Sequence, residues 1–229
     1  MNDRPSRRRA LIGAGALGLT AAGIVALRPR EIRTEPIPGL PGFSRVEGGG
    51  EISAGNFATI GLDSPSAALP QDMLAEAEAQ VARDPVAALR GDGSDITFFS
   101  SAGCPLCPVQ ADRLPGPATL RPLAFFGPAS ERAARAMIVA PQLHDRLIRT
   151  RLVIDDAYLA AILEAEGLDP ATHLRRLDAP ETTAALALNH ALARALQLPG
   201  TPGTLIHRTL AVGLMPRSTL TALLRQEET

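Results

Sequence analysis

Cys104 and Cys107 are the only cysteines of the chain, and two residues separate them. Two thiols at this spacing can close a small disulfide ring, in which either sulfur can exchange with a thiol from outside. The apolar residues 96–99 precede the pair, and a helix is predicted to follow from residue 105. A strand that delivers a C-x-x-C pair to the start of a helix is typical of a redox site. The sequence therefore predicts reversible disulfide chemistry at Cys104 and Cys107.

Two other interpretations of the cysteines are open at this point: a static structural disulfide, or two ligands of a metal. A structural zinc site usually needs four ligands. The histidines that could complete such a site are all distant in sequence: His144, His173, His190 and His207. We therefore expect no metal and no cofactor. We expect His144 and His190 to be packing or surface residues of helices, and His207 to be a solvated turn residue.

The predicted helix 105–114 places Cys104 at a helix N-terminus. Unpaired backbone N–H groups and the helix dipole at this position favour the thiolate form of a cysteine. Pro105 suits the first helical position because its missing N–H is not needed there. Leu106 can neither carry a charge nor donate a side-chain hydrogen bond. Stabilisation of a Cys104 thiolate must then come from the helix terminus and the backbone.

The N-terminal segment 1–27 has the pattern of a secretory signal peptide or of a membrane anchor. Four arginines precede an uninterrupted stretch of apolar and small residues, 10–27, which Arg28 ends. Residues 6–11 resemble the twin-arginine export motif of bacteria, with alanine where phenylalanine is usual. A stretch of ~18 residues is near the lower limit for a membrane span, so cleavage and anchoring are both open. Either alternative places the folded part in an oxidising compartment, the periplasm, where disulfides persist.

The composition is that of an ordinary folded protein. The chain has 229 residues, of which 45% are hydrophobic, enough for one domain with an insertion or for two small domains. The formal net charge is −1, and nothing in its distribution suggests a nucleic-acid partner.

Proline, glycine and apolar periodicity divide the rest of the chain. Residues 28–69 are predicted to be a Pro/Gly-rich linker and N-terminal extension, with a tether over 28–50 and a short strand near 57–60. The predicted elements that follow are a helix over 70–89, a strand over 96–100, the helix 105–114, a strand over 120–126, a block of helices over 130–198, two strands at 204–206 and 210–212, and a last helix to residue 225.

This order of elements fits an α/β thioredoxin-like fold with an inserted all-helical subdomain. With these elements in place, residues 70–227 resemble the DsbA-like family of bacterial thiol–disulfide oxidoreductases. The matching segments are 98–99 with 104–107, 130–135, 167–169, and 189–192 leading to 200–202. The resemblance implies one thioredoxin domain, 70–229, whose helical insertion spans about 128–198. The sequence departs from the family pattern at Pro108, where a basic residue often follows the second cysteine, and at Gly203, where a threonine is common.

The resemblance also implies roles for individual residues. It makes Cys104 the exposed nucleophile and Cys107 the buried resolving thiol, and it makes Pro202 a cis-proline that faces them. An ordinary turn proline is the alternative for Pro202. A cis bond there would expose the backbone of Thr201 to pair with a substrate strand, a mode of recognition that tolerates many side chains. We expect Pro105 and Leu106 to contact the same substrate.

The function that this resemblance implies is the transfer of a disulfide to exported proteins in the cell envelope. A membrane partner linked to quinones would reoxidise the dithiol, and residues 10–27 would allow membrane anchoring. A second hypothesis reverses the electron flow and makes the protein a disulfide reductase or isomerase. A third makes it a partner-specific binding or chaperone module for the assembly of a metal centre, with the cysteines secondary.

Overall fold

The computed structural model describes residues 32–52, 69–89 and 93–226. The described residues from Arg33 onward belong to one compact unit. The predicted signal or anchor 1–27 and the predicted strand near 57–60 lie outside the described residues. In the described part of the chain, no helix is long and apolar enough to span a membrane.

A mixed sheet of six strands forms the centre of this unit. Its strands are β1 (Thr34–Pro36), β2 (Ser44–Val46), β3 (Ile96–Ser100), β4 (Thr119–Pro122), β5 (Gly203–Ile206) and β6 (Thr209–Val212). They lie in the order β1-β2-β6-β5-β3-β4. β3 runs parallel to β4 and antiparallel to β5, and all five of its residues are buried. A largely apolar sequence suits this strand because neighbouring strands cover both its edges and its residues are buried on both faces.

Helices surround this sheet and form the insertion. They are α1 (Gln71–Arg83), α2 (Pro85–Leu89), α3 (Cys107–Ala111), α4 (Pro128–Val139), α5 (His144–Arg149), α6 (Asp156–Ala165), α7 (Pro170–Leu177), α8 (Pro180–Ala195) and α9 (Arg217–Arg225). α4 to α8 stand between β4 and β5, as an inserted helical subdomain requires. The sheet, α1 and α8 share one apolar core, and α4 to α7 enclose a second core around Leu143, Leu147 and Leu159.

The sequence-based prediction of a tether over residues 28–50 is wrong from residue 34 onward. β1 and β2 lie there, and β2 extends the sheet by pairing in parallel with β6. The connection between them buries Ile37, Leu40 and Phe43. The prolines and glycines of this segment therefore form turns between short strands, and three apolar side chains fix these turns to the core. The domain boundaries at 27, 69 and 229 stay a prediction.

Two predicted elements differ from the observed ones at their ends. The helix 70–89 is interrupted at Asp84, because Pro85 has no N–H to continue the hydrogen-bond series and begins a new helix. Asp84 Oδ1 caps that second helix by accepting the N–H of Ala87 at 2.8 Å. The strand predicted over 120–126 ends at Pro122. The next residues form the connection to α4, where the Leu123 N–H still bonds to the Ser100 carbonyl.

Candidate redox site

Cys104 and Cys107 are joined in a disulfide, with their Cα atoms 5.5 Å apart. The pair lies on the turn that leaves β3 and enters α3. The helix begins at Cys107, not at residue 105 as predicted, so Cys104 precedes it by three residues. The backbone N–H of Cys107 nevertheless donates to Cys104 Sγ at 3.1 Å. An N–H of the first helical turn therefore points at the sulfur that it would stabilise as a thiolate.

The predicted exposure of Cys104 is wrong for this oxidised state. Cys104 is 1% exposed and Cys107 is 0% exposed, and both pack with Phe98 in a small apolar cluster. Leu106 is half-buried against the same cluster. Pro105 is exposed at the tip of the turn. Phe98 thus covers the disulfide on the core side, and Leu106 packs against the same cluster, while Pro105 faces solvent.

The Thr201–Pro202 turn lies at the same end of the sheet as the cysteine turn. Phe99 of β3 pairs with Gly203 of β5, so the chain that runs on to Cys104 lies beside the chain that arrives from Pro202. The Thr201–Pro202 peptide bond is cis. Direct contact of Pro202 with the cysteines stays an expectation from the resemblance.

Thr201 does not present the exposed backbone that the sequence analysis expects. The residue is 0% exposed, because the turn is packed into the protein. Among the described residues, its Oγ1 has no hydrogen-bond partner. The surroundings of Gly203 explain one departure from the family pattern. A Cβ on Gly203 would lie 2.7 Å from a methyl of Leu198, so a threonine cannot be placed there without displacing that side chain.

Ser101 is a buried residue of the site that the sequence analysis missed. Its hydroxyl donates to the Leu123 carbonyl at 2.7 Å and bonds with the Ser130 hydroxyl at 2.8 Å. Its own carbonyl accepts the Cys104 N–H at 3.2 Å. One residue thus joins the cysteine turn to the segment after β4 and to the first turn of α4. No sequence motif distinguishes this serine from a solvated loop serine.

Two buried histidines of the insertion bond to the segments that flank the cysteine turn. His144 Nε2 lies 2.7 Å from Ser100 Oγ, at the end of β3. His190 Nε2 accepts the backbone N–H of Ala124 at 3.2 Å, so this nitrogen carries no proton. Burial has the largest effect on the pKa of both side chains and lowers each pKa from 6.5 to about 4. Both are therefore neutral at pH 7. Of the two roles expected for them, packing or surface, the buried packing role is the one observed.

His207 differs from its prediction as a solvated residue. It lies in the β5–β6 turn but is half-buried, and its Nε2 approaches the Leu224 carbonyl of α9 at 3.3 Å. Across the described residues, no group of three or more His, Cys, Asp or Glu side chains could hold a metal ion.

Residues 123–225 match the model of the DSBA-like thioredoxin domain family, a match that begins after the cysteine turn and includes the Thr201–Pro202 turn. No curated protein matches the chain at a significant level. Among solved structures, a thioredoxin-like oxidoreductase from Silicibacter pomeroyi is 27% identical, with a TM-score of 0.52 over 59% of this chain and 87% of that one.

Two more distant structures share the fold. The thiol–disulfide exchange protein alpha-DsbA2 from Wolbachia pipientis is 16% identical, with a TM-score of 0.56 over 69% of this chain and 99% of that one. The catalytic domain of Proteus mirabilis ScsC is 21% identical, with a TM-score of 0.51 over 66% of this chain and 97% of that one. Residues 123–225 are thus similar to the DSBA-like thioredoxin domain family, and the chain is a thiol–disulfide oxidoreductase of the thioredoxin fold.

Proposed function

We propose that this protein transfers the Cys104–Cys107 disulfide to exported proteins in the periplasm. The observation that carries the proposal is the disulfide itself, at the start of α3, with the Cys107 N–H directed at Cys104 Sγ. The basic and apolar pattern of residues 1–27 supports export. The sequence pattern leaves open whether the segment is cleaved or anchors the protein.

The reaction consists of two exchanges. A client thiolate attacks Cys104 Sγ, a sulfur–sulfur bond forms between client and protein, and the Cys104–Cys107 bond breaks. Cys107 leaves as a thiolate and takes up a proton. A second client thiolate then attacks the client sulfur of the mixed disulfide, and Cys104 leaves as a thiolate. The client loses two electrons and the protein gains them, so a membrane redox partner must remove two electrons before the next cycle.

The geometry of the disulfide supports Cys104 as the attacked sulfur and Cys107 as the first leaving sulfur in this scheme. Cys104 is the sulfur that receives an N–H from the first helical turn, which stabilises its thiolate when it is released to complete the cycle. Cys107 lies within the helix and is wholly buried, which suits an internal resolving thiol. Because Cys104 is also buried in the oxidised state, a client first meets the exposed Gly103 and Pro105. Attack on Cys104 then requires local opening of the turn.

The test is a stoichiometric reaction of the purified, oxidised protein with a reduced peptide that contains two cysteines, without oxygen. We expect one oxidised peptide for each protein that gains two free thiols, and no oxidation by the Cys104→Ser, Cys107→Ser double variant. If the equilibrium instead leaves the peptide reduced and the protein oxidised, the protein acts as a reductase. If neither direction proceeds, the disulfide is structural and the proposal fails.

A further inference from the structure

Gln110 is a buried amide whose two ends bond to different parts of the redox domain. It lies on α3, three residues after Cys107, and is 0% exposed. Its Oε1 accepts the backbone N–H of Met215 at 2.9 Å, and its Nε2 donates to Thr204 Oγ1 at 3.4 Å. Both bonds fit a single orientation of the amide, so the side chain joins the active-site helix to β5 and to the segment after β6.

The segment after β6 carries the connection onward to Pro202. The Gly213 N–H donates to the Pro202 carbonyl at 2.8 Å, two residues before the Met215 N–H that bonds to Gln110. Residues 213–215 therefore hold the cis-proline turn at one end and the active-site helix at the other. Arg113 of the following turn adds a longer bond, 3.4 Å, to the Met215 carbonyl.

We propose that Gln110 is a positioning residue that fixes the separation between the Cys104 turn and the Thr201–Pro202 turn. These two turns lead into different elements, α3 and β5. Gln110 lies on α3, and its side chain bonds to Thr204 of β5 and to Met215 in the segment after β6. Gln110 and Thr204 are fully buried, so a client does not touch them and their effect on exchange acts through the turns.

The inference rests on the proposed function, because it concerns how a client polypeptide fits against both turns. A small thiol such as glutathione needs only access to the Cys104 sulfur. A client segment in a mixed disulfide also extends along the neighbouring turn, so its reaction depends on the relative position of the two turns. An error of ~1 Å in such a position can cost ~100-fold in rate. Loss of Gln110 therefore changes the preference for peptide thiols over glutathione.

The experiment measures the second-order rate constants for reduction of the protein disulfide by a cysteine-containing peptide and by glutathione. Gln110→Met keeps the length and volume of the side chain and removes both hydrogen bonds. We expect the peptide-to-glutathione ratio to fall about 10-fold, which corresponds to ~1.4 kcal/mol. Thr204→Val removes only the longer bond. We expect the ratio to fall only about 2-fold, because a hydrogen bond of 3.4 Å is weak. This second variant carries the test if Gln110→Met does not fold.

Asn189→Leu is the matched control. Asn189 is also a buried amide that joins two elements, because it donates to the Pro122 carbonyl at 3.0 Å, but its bonds lie on β4. We expect this variant to lose stability with an unchanged ratio. Amide hydrogen exchange gives an independent readout: the Met215 and Gly213 amides should both exchange faster in Gln110→Met and not in Asn189→Leu.

Two results overturn the inference while leaving the proposed function standing. One is an unchanged ratio in both Gln110→Met and Thr204→Val; the other is a ratio that falls equally in Asn189→Leu. A wild-type protein that reacts with glutathione and never with the peptide removes the proposed function, and this inference with it.

Discussion

Acid should destabilise this protein well above the pH at which carboxylates begin to titrate. The reason is the pair of buried, neutral histidines that bond the insertion to the segments beside the redox turn. His190 receives the Ala124 N–H on Nε2, and a proton on that nitrogen would turn the hydrogen bond into a repulsive contact between two donors. His144 is 6% exposed, beside Phe98 and Ser100, where a charge has little water to solvate it.

The size of this loss in the free energy of unfolding follows from the shift in the pKa of the two histidines. Burial lowers the pKa of each histidine from 6.5 to about 4; Asp145 opposes the effect at His144, while Arg149 adds to it there and Arg194 adds to it at His190. The unfolded chain binds these protons first, so stability is complete above about pH 6.5 and is lost as the pH falls towards 4. Each histidine then costs roughly 2 kcal/mol at pH 5 and roughly 3 kcal/mol at pH 4. Together they remove about 4 kcal/mol at pH 5 from a typical total of ~5–15 kcal/mol.

The assay is urea unfolding of the oxidised protein at pH 7.5 and at pH 5. The wild type should lose about 4 kcal/mol between these pH values. His144→Gln and His190→Gln should each remove about half of that loss, and the double variant should remove nearly all of it. His173→Gln is the control, because His173 is only half-buried on α7, where its Nδ1 lies 2.8 Å from the Asp169 carbonyl.

The carboxylates whose pKa is lowered, Asp112, Asp156 and Asp169, do not account for a loss in this window. The pKa of Asp156 is lowered by its hydrogen bond from Arg132, so the stability it contributes is lost only below its ordinary value of 3.8. An equal loss between pH 7.5 and pH 5 in the wild type and the double variant would refute the reasoning, because other groups would then carry the titration.

Three further substitutions around the cysteine turn have expected outcomes. Leu106→His should raise the reduction potential, measured against glutathione, by roughly 30–60 mV, because a charged hydrogen bond to the Cys104 thiolate contributes about 1.5–3 kcal/mol; an unchanged potential would show that the helix terminus alone sets it. Ser101→Ala should lower the free energy of unfolding by about 2–3 kcal/mol, since it leaves buried partners unpaired; a loss under ~0.5 kcal/mol would contradict the proposed junction. Gly103→Ala should cost about 1–2 kcal/mol in the same urea assay, because φ is +88° and Phe126 lies 3.4 Å from the new Cβ; an unchanged midpoint would show that the turn adjusts freely.

The sequence predicts the parts of the fold whose signals are local. The apolar run of β3, the hairpin of β5 and β6, and the prolines that begin α4, α7 and α8 are all visible without a structure. β1 and β2 are not, since each has only three residues and β2 gains its stability from pairing with β6, more than 160 residues away. Their prolines and glycines suggest a flexible linker when that pairing is unknown.

The residues of the redox site likewise include some that the sequence predicts and others that only the folded structure reveals. The cysteines and the Thr201–Pro202 turn are recognisable from residue type and spacing. Ser101 and Gln110 are ordinary polar residues whose positions matter only because distant carbonyls, hydroxyls and N–H groups meet them in the folded chain. The burial of Cys104 likewise depends on tertiary packing around Phe98, which helix position alone does not reveal.

The central claim is that Cys104 is the sulfur that exchanges with client thiols and Cys107 the thiol that resolves the complex. The most direct measurement is mass spectrometry of mixed disulfides trapped in the cell envelope by Cys107→Ser and by Cys104→Ser. We expect Cys107→Ser to accumulate covalent complexes with exported proteins through Cys104, because the internal thiol that releases stalled clients is gone. Cys104→Ser should accumulate almost none. Equal trapping by both variants, or complexes joined mainly through Cys107, would contradict the account.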